Sequence, residues 1–275
     1  MTREFSERRI AITGAGSGLG RALALRYAGE GWRVAVTDRI EARAHTVGRE
    51  VDSAGGHALV EPLDVTREAD FARLCDRLQR EWGGVDVFVN NAGVAAGGSL
   101  LEADLAQWQT QIEVNLLGVL RGCRAVMPLL LEQGSGHIVN VASFAGIACP
   151  PGMVSYNSVK AAVIALSESV RAEVWDADIG VTVACPAFFP TNLLENFDSP
   201  QASQREAARK MMERSGVTAE DVADGIVQAV RSGEFLAIAH AQSRQQYDAK
   251  RADPEAFFHA VRQSMKKFSG ASERD

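Results

Sequence analysis

A cluster of glycines near the amino terminus constrains the fold of this 275-residue chain more than any other feature. The apolar run at residues 9–13 predicts a buried strand, and residues 21–30 predict a helix. Four glycines lie between them, within residues 14–20. Glycines adopt positive φ and let backbone N–H groups approach a phosphate, while a helix N-terminus supplies partial positive charge. The cluster therefore predicts a phosphate-binding turn between a strand and a helix, as in dinucleotide-binding folds.

Short apolar runs alternate with helical segments along most of the remaining chain. Six further strands are predicted at residues 33–37, 57–60, 85–89, 136–143, 180–185 and 234–239. Strands that alternate with helices and are joined by right-handed crossovers form a parallel sheet. We expect a single-domain α/β protein with a Rossmann-type, doubly wound parallel sheet of about seven strands and helices on both faces. Its site should lie at the carboxyl ends of the strands.

The predicted domain covers residues 1–240 and includes a substrate lid at about residues 192–216. Residues 241–275 form a predicted C-terminal helical extension, in which Asp253 and Pro254 mark a helix start. Phe257, Val261 and Met265 follow at a spacing of four residues, which predicts one apolar stripe on that helix.

Charge and composition exclude several functional classes. The net charge is −6, and no basic block is interleaved with aromatic residues, which argues against a nucleic-acid partner. No uninterrupted apolar run reaches about 18 residues, and no secretory leader pattern opens the chain, so we expect no membrane span and a cytoplasmic location. The four cysteines and five histidines have no metal-ligand spacing, which predicts reduced buried thiols and no metal site.

Tyr156 and Lys160 form the pair with the clearest chemical meaning. Side chains four residues apart share one face of a helix, so the ammonium should lie near the phenol. Two charges about 5 Å apart at an effective dielectric of about 20 interact by about 3 kcal/mol, or roughly two pK units. The pair therefore predicts that the pKa of Tyr156 falls toward working pH, where an acid/base catalyst is most effective.

Asp38 indicates which nucleotide the turn would bind. It ends the second predicted strand, 18 residues after Gly20. A carboxylate there can accept hydrogen bonds from the ribose hydroxyls and would repel a 2′-phosphate, which favours NAD. The neighbouring Arg39 could accommodate that phosphate, so NADP remains open. Asp38 could also simply cap the next helix.

Taken together, four motifs resemble those of the short-chain dehydrogenase/reductase family. They are Thr13-Gly14-x-x-x-Gly18-x-Gly20, Asn90-Asn91-Ala92-Gly93, a serine (Ser143) placed 13 residues before the tyrosine, and Tyr156-x-x-x-Lys160. The resemblance covers roughly residues 8–240 and corresponds to the main Tyr-x-x-x-Lys branch.

The resemblance implies a catalytic role for four residues. Tyr156 would exchange the proton, while Lys160 would lower its pKa and hydrogen-bond the nicotinamide ribose. Ser143 would hydrogen-bond the substrate oxygen. Asn115, in a segment like the family's N-x-x-G element, would hold a water that links Lys160 to solvent.

The resemblance also implies a cofactor site formed by residues at or just after the carboxyl ends of most strands. Its expected members are Gly14, Ser17, Gly18, Leu19, Gly20, Asp38, Arg39, Asp64, Val65, Asn91, Ala92, Gly93, Tyr156, Lys160, Pro186, Phe189 and Thr191. One position departs from the family pattern, because Ala187 replaces a glycine after Pro186. Alanine tolerates positive φ poorly, so the turn beside the nicotinamide could differ.

The implied function is that of an NAD(P)-dependent oxidoreductase, which interconverts a hydrophobic secondary alcohol and its ketone by hydride transfer. Phe144, Met153, Phe188 and Leu193 are predicted to line an apolar substrate pocket. The helices at 105–131 and 155–175 resemble those that pair subunits, which predicts a homodimer or homotetramer. Two alternatives remain: a non-catalytic nicotinamide-nucleotide-binding regulatory or scaffold protein, and an NADP-linked carbonyl reductase.

Overall fold

The fold is built around one parallel sheet of seven strands. The computed structural model describes residues 3–195, 197–200 and 202–270, except for the side chains of residues 202–204, 207 and 264–270. The strand order is β3-β2-β1-β4-β5-β6-β7, and every pairing is parallel. The strands are β1 Arg9–Ile12, β2 Arg33–Asp38, β3 His57–Pro62, β4 Val87–Asn90, β5 Gly136–Val141, β6 Ile179–Ala184 and β7 Leu236–Ala237. The order reverses between β1 and β4, which confirms the predicted doubly wound sheet.

Helices connect the strands and extend beyond the last of them. They are α1 Gly18–Ala28, α2 Glu41–Ser53, α3 Glu68–Trp82, α4 Leu105–Gln111, α5 Gly118–Gln133, α6 Ala145–Ala148, α7 Val154–Glu173, α8 Ala202–Glu213, α9 Ala219–Ser232, α10 Ala241–Ala252 and α11 Pro254–Gly270. A π-helical segment, Ile112–Leu117, joins α4 to α5, and a short 3-10 turn, Asn192–Leu194, precedes α8.

Two apolar layers cover the two faces of the sheet. Alternate strand residues enter opposite layers: Ile10 and Ile12 face one side, while Ala11 faces the other. The first layer packs β-strand residues against α1, α2 and α9, and the second packs them against α3, α5 and α7. Strands covered on both faces read as continuous apolar runs, which is why the sequence predicts them well.

Local sequence explains where several helices begin and end. Thr218 and Asp221 form a reciprocal capping box at the start of α9. Gly83 ends α3 in the left-handed conformation, with φ 71°. Along α3, Phe71, Leu74 and Leu78 form the buried stripe that packs on the sheet.

The structure differs from the predicted elements in several places. The long helix predicted at 105–131 contains the π segment, in which the fully buried Asn115 faces inward. β7 has two residues rather than the six predicted, and the extension contains α10 ahead of the expected α11. The side chain of Met265, predicted on the stripe of α11, lies outside the described residues.

The helical stretch Leu105–Gln133 is long and apolar enough, by length and composition alone, to cross a bilayer. The sequence prediction, based on uninterrupted apolar runs, did not anticipate this. One face of α5 packs on the sheet through Val119, Cys123, Val126 and Leu130, none of which is more than 3% exposed. A core helix of an α/β domain satisfies the same length and composition test.

Candidate active site

A cavity of about 970 Å³ opens at the carboxyl ends of the strands. It brings together residues that are far apart in sequence, from the glycine turn to the segment predicted as a lid and the start of α10. The predicted site residues in its wall are Gly14, Ser17, Gly18, Leu19, Asp38, Arg39, Asp64, Val65, Asn91, Ala92, Gly93, Ser143, Phe144, Met153, Tyr156, Lys160, Pro186, Phe188, Phe189, Thr191 and Leu193. Two predicted residues, Gly20 and Asn115, lie behind the wall.

The glycine turn presents the N-terminus of α1 to this cavity. Ser17 is the N-cap residue but makes no side-chain capping bond, and the first turn of α1 has no acidic residue. Gly18 has φ 50°, and a Cβ there would lie 2.8 Å from Thr191 Oγ1. Gly20 serves packing instead, because a Cβ would lie 2.3 Å from the Gly14 carbonyl oxygen. The turn thus leaves backbone donors and space where an anion can bind.

Asp38 connects the end of β2 to the glycine turn. Its Oδ2 accepts a hydrogen bond from the Gly16 N–H at 3.1 Å, and its Oδ1 accepts one from the Ile40 N–H at 2.8 Å. α2 begins at Glu41, with Ile40 rather than Asp38 at its N-cap. The carboxylate therefore holds the turn in place and lies in the cavity wall beside the exposed Arg39.

The ends of β3 and β4 supply further parts of the wall. The Asp64 carboxylate accepts hydrogen bonds from the N–H and hydroxyl of Thr66 at 3.0 and 2.8 Å. Asn91 Nδ2 donates to the Thr13 carbonyl oxygen at 2.8 Å, and its N–H donates to Thr13 Oγ1 at 3.0 Å. Asn91 therefore ties the end of β4 to the glycine turn.

Tyr156 and Lys160 lie on the buried face of α7, where they are 6% and 4% exposed. The Ser143 hydroxyl, just after β5, lies near the Tyr156 phenol; it donates to the Pro186 carbonyl oxygen at 3.5 Å and accepts from the Ala145 N–H at 3.1 Å. Lys160 Nζ donates to the Val141 carbonyl oxygen at 2.9 Å and lies 5.8 Å from the centre of the Tyr156 ring. The three side chains thus lie close together in the cavity wall, as helical spacing predicts for Tyr156 and Lys160 and as the family resemblance implies for Ser143.

The pKa shifts of the pair differ from the prediction. Burial raises the pKa of Tyr156 to about 12, although the Ser143 hydrogen bond opposes this, and burial lowers the pKa of Lys160 to about 8. The pKa shift of Tyr156 is therefore opposite in direction to the predicted one. The physical reason is desolvation: the phenol lies in an apolar cluster with Ala95 and Phe197, and the Lys160 side chain is buried as well.

Asn115 lies close behind this group. Its Oδ1 accepts from the Val94 N–H at 3.0 Å, and its Nδ2 donates to the Val94 carbonyl at 2.8 Å and to Gln111 Oε1 at 2.6 Å. A Cβ on Gly93 would lie 2.8 Å from Asn115 Oδ1 and 3.6 Å from Lys160 Nζ, so Gly93 separates the two side chains. The predicted role of Asn115 in a water relay stays a prediction.

Ala187 adopts the turn without strain. Among the described residues, positive φ outside glycine occurs only at Arg8 and Cys149. Thr191 begins the 3-10 turn, and its hydroxyl accepts a hydrogen bond from the Leu193 N–H at 3.2 Å. The replacement of the family glycine therefore leaves Pro186, Phe189 and Thr191 in the cavity wall.

Comparison with known proteins agrees with this geometry. The family model described as short chain dehydrogenase matches residues 8–202. "Probable oxidoreductase EphD" of Mycobacterium tuberculosis is 34% identical over 261 residues, which are 92% of this chain. The chain spans only 44% of the length of these mycobacterial relatives.

Two solved structures are similar over nearly the whole chain. A short-chain dehydrogenase/reductase from Burkholderia phymatum in complex with NAD is 33% identical, with a TM-score of 0.84, covering 92% of this chain and 96% of that one. A short-chain dehydrogenase from Sphingobium yanoikuyae in complex with NADPH is 26% identical, with a TM-score of 0.74, covering 91% and 94%. The chain belongs to the short-chain dehydrogenase family of oxidoreductases.

In this short-chain dehydrogenase, several wall residues escape prediction from the sequence. Arg43 of α2 forms an ion pair with Glu195 after the 3-10 turn at 2.8 Å, and both line the cavity. Residues 240–243 and Gln246, around the start of α10, also line the cavity. The sequence of α10 is mostly polar and has no apolar periodicity that would predict its place in the wall. The ion pair joins residues 152 positions apart, so sequence spacing does not predict it either.

Proposed function

We propose that this short-chain dehydrogenase interconverts a hydrophobic secondary alcohol and its ketone with NAD as cofactor and Tyr156 as the acid/base. One observation carries the proposal: the Ser143 hydroxyl, the Tyr156 phenol and the Lys160 ammonium meet in the cavity that the glycine turn also lines. The family membership supports the reaction class. The apolar cluster of Tyr156 with Met153, Leu193 and Phe197 supports a hydrophobic substrate.

The residues present fit a nicotinamide dinucleotide. The turn offers the N-terminus of α1 and a positive φ at Gly14 and Gly18, where a Cβ would meet Ala92 or Thr191. These features suit a pyrophosphate. Asp38 has oxygens at the end of β2 that could accept from ribose hydroxyls, and Thr191 could hold the carboxamide. When bound, the nicotinamide supplies the centre that gains or loses hydride.

The protein's own groups would handle the proton and the developing charge. Tyr156 takes the carbinol proton in oxidation and returns it to the oxygen in reduction. Ser143 donates a hydrogen bond to the same oxygen, where negative charge develops in the transition state. Lys160 stabilises the phenolate and would bind the nicotinamide ribose, and Asn115 would support the relay to solvent. Because burial disfavours the phenolate, its stabilisation by Lys160 is needed most in the oxidation direction.

NADP is the second candidate cofactor, and it would make the enzyme an NADP-linked carbonyl reductase. Arg39 favours it, because this exposed guanidinium lies in the cavity wall directly beside Asp38. We choose NAD because the Asp38 carboxylate, anchored by two backbone N–H groups, would repel a 2′-phosphate.

We further propose that the enzyme works in the cytoplasm as a homodimer or homotetramer. All four cysteines are free thiols, which suits a reducing compartment. Cys149 is exposed, so the prediction of buried thiols is wrong at that position, where the residue follows α6 in the left-handed conformation. The family resemblance of the helical regions 105–133 and 154–173 supports pairing of subunits. Ile112 and Leu131 in the first region expose 38% and 54% of their surface.

Reduced-nicotinamide absorbance tests the proposal. A panel of hydrophobic secondary alcohols is screened with NAD and with NADP, using the wild type and Asp38→Ala. We expect turnover of at least one alcohol with NAD, and a cofactor preference that shifts at least tenfold toward NADP in Asp38→Ala. Turnover of the wild type with NADP only would overturn the choice of NAD and favour Arg39 as the determinant. Binding of NADH without turnover of any alcohol would favour the non-catalytic alternative.

A further inference from the structure

Gln107 of α4 lies at the centre of a buried group of hydrogen bonds. Its Nε2 donates to the Gly97 carbonyl oxygen at 3.0 Å and to the Asp198 carbonyl oxygen at 3.3 Å. Its Oε1 accepts from the Ser155 hydroxyl at 2.9 Å. One amide, 5% exposed as a residue, therefore joins the loop after β4, the segment predicted as a lid and the start of α7. These four residues form the Gln107 junction.

The joined segments also pair through their backbones. The Gly97 N–H donates to the Asp198 carbonyl oxygen at 2.8 Å, and the Asp198 N–H donates to the Ala95 carbonyl oxygen at 3.3 Å. Beside them, the Gly98 N–H donates to the Gly152 carbonyl oxygen at 2.7 Å. Both pairings are isolated bridges rather than strands of the sheet. So few backbone bonds give low local stability, and the side-chain bonds of Gln107 add to it.

The Gln107 junction adjoins the reacting centre on two sides. Ser155 directly precedes Tyr156 on α7, and Asp198 directly follows Phe197. Phe197 and Tyr156 belong to one buried apolar cluster, and both lie in the cavity wall. Gln107 is not among the residues that line the cavity, so its effect on the reaction passes through these neighbours.

We propose that Gln107 is a positioning residue, which holds Phe197 beside Tyr156 and thereby sets the affinity of the site for its hydrophobic substrate. This inference rests on the proposed function. The amide suits the position, because it has two donors for two carbonyl oxygens and an acceptor for a hydroxyl. An apolar side chain of similar length would leave these buried groups without those partners, which is unfavourable. Phe197 would then leave its place more often, and the apolar wall beside Tyr156 would open to water.

Hydrogen exchange of the full chain without substrate tests the positioning step. Gln107→Met keeps the approximate length of the side chain and removes its hydrogen bonds. We expect peptides that contain the Gly97 and Asp198 amides to exchange at least tenfold faster in this variant, as expected for the loss of two buried hydrogen bonds. Amides of α2 that exchange through local opening should keep the wild-type rate, because α2 packs on the other face of the sheet.

Steady-state kinetics tests the link to the substrate. For the best alcohol of the panel with saturating NAD, KM should rise five- to tenfold in Gln107→Met, with kcat within about threefold. The affinity for NADH, measured by fluorescence, should stay within about twofold. Phe197→Ala should raise KM at least as much, and adding Gln107→Met to it should raise KM less than twofold further, because Gln107 acts through Phe197.

Two further variants control for helix position and folding. Gln109→Met changes an exposed glutamine of the same helix and should match the wild type in exchange and in KM. Ser155→Ala removes a single hydroxyl from the Gln107 junction and should raise exchange at Gly97 and Asp198 about threefold, which keeps the test decisive where Gln107→Met does not fold.

Several results would overturn the proposal. They are wild-type exchange at Gly97 and Asp198 in Gln107→Met or, where that variant does not fold, in Ser155→Ala, an equal acceleration in α2, an unchanged KM, and independent effects of Gln107→Met and Phe197→Ala. Faster exchange confined to the junction, in a protein that turns over no alcohol, would support the positioning step and overturn the proposed function instead.

Discussion

At the scale of single residues, the central feature is the burial of two ionisable side chains in one apolar place. Tyr156 is 6% exposed and Lys160 is 4% exposed. Burial shifts the pKa of each side chain in the direction that disfavours its charged form. Spacing on a helix predicts that the two side chains are neighbours, but it does not predict how far they are buried from solvent. Desolvation depends on residues such as Ala95 and Phe197, which come from other parts of the chain.

The Lys160 shift predicts a pH dependence of stability. The pKa falls from 10.5 in the unfolded chain to about 8 in the folded protein. Between these values the unfolded state binds the additional proton, so the free energy of unfolding rises with pH. From pH 8 to pH 10, we expect the free energy of unfolding of the wild type to rise by about 2 kcal/mol relative to that of Lys160→Met. Urea titrations at several pH values measure it, and a constant difference would contradict the assigned shift.

At the scale of elements, the glycine contact between α6 and α7 determines where Lys160 lies. A Cβ on Gly146 would come within 2.6 Å of the Lys160 carbonyl carbon and 2.7 Å of the Ala161 nitrogen, both backbone atoms that cannot move alone. The two helices therefore approach as closely as they do only because residue 146 has no side chain.

Alanine at this contact should destabilise the protein. We expect Gly146→Ala to lower the free energy of unfolding by about 1–3 kcal/mol, as overpacking does elsewhere. Denaturant unfolding measures the loss. Gly29→Ala is the matched control, because its Cβ would lie 3.6 Å from the nearest atom and its φ is −61°; we expect a change within about 0.5 kcal/mol. An unfolding midpoint of Gly146→Ala equal to that of the wild type would show that the contact is not tight.

The sequence predicts the elements around the glycine turn well and those after β7 poorly. Strands β2 and β5 are built around short apolar runs, and each ends within two residues of its predicted end. The π segment escapes prediction because its sequence is compatible with an α-helix, and its form depends on the bonds of the buried Asn115. α10 has a mostly polar sequence without an apolar stripe, so only tertiary packing reveals it as a cavity wall.

At the scale of the whole molecule, the exposed apolar side chains favour association. Leu105, Ile112 and Leu131 are exposed along Leu105–Gln133. We predict that sedimentation velocity at micromolar concentration shows a dimer or a tetramer, and that Leu131→Glu weakens association because the charge would lose its hydration in an interface. A monomeric wild type at these concentrations would contradict the prediction.

The most direct test of the account is the turnover of Tyr156→Phe. The substitution removes the one hydroxyl assigned to proton exchange and preserves the ring that packs beside Met153 and Phe197. Steady-state rates with the best alcohol and NAD are compared with the wild type, and NADH binding is followed by fluorescence. We expect kcat to fall by about 10²–10⁴-fold, the usual contribution of general acid–base catalysis, with NADH affinity within about threefold. A Tyr156→Phe enzyme that turns over at the wild-type rate would contradict the assignment of Tyr156 as the acid/base.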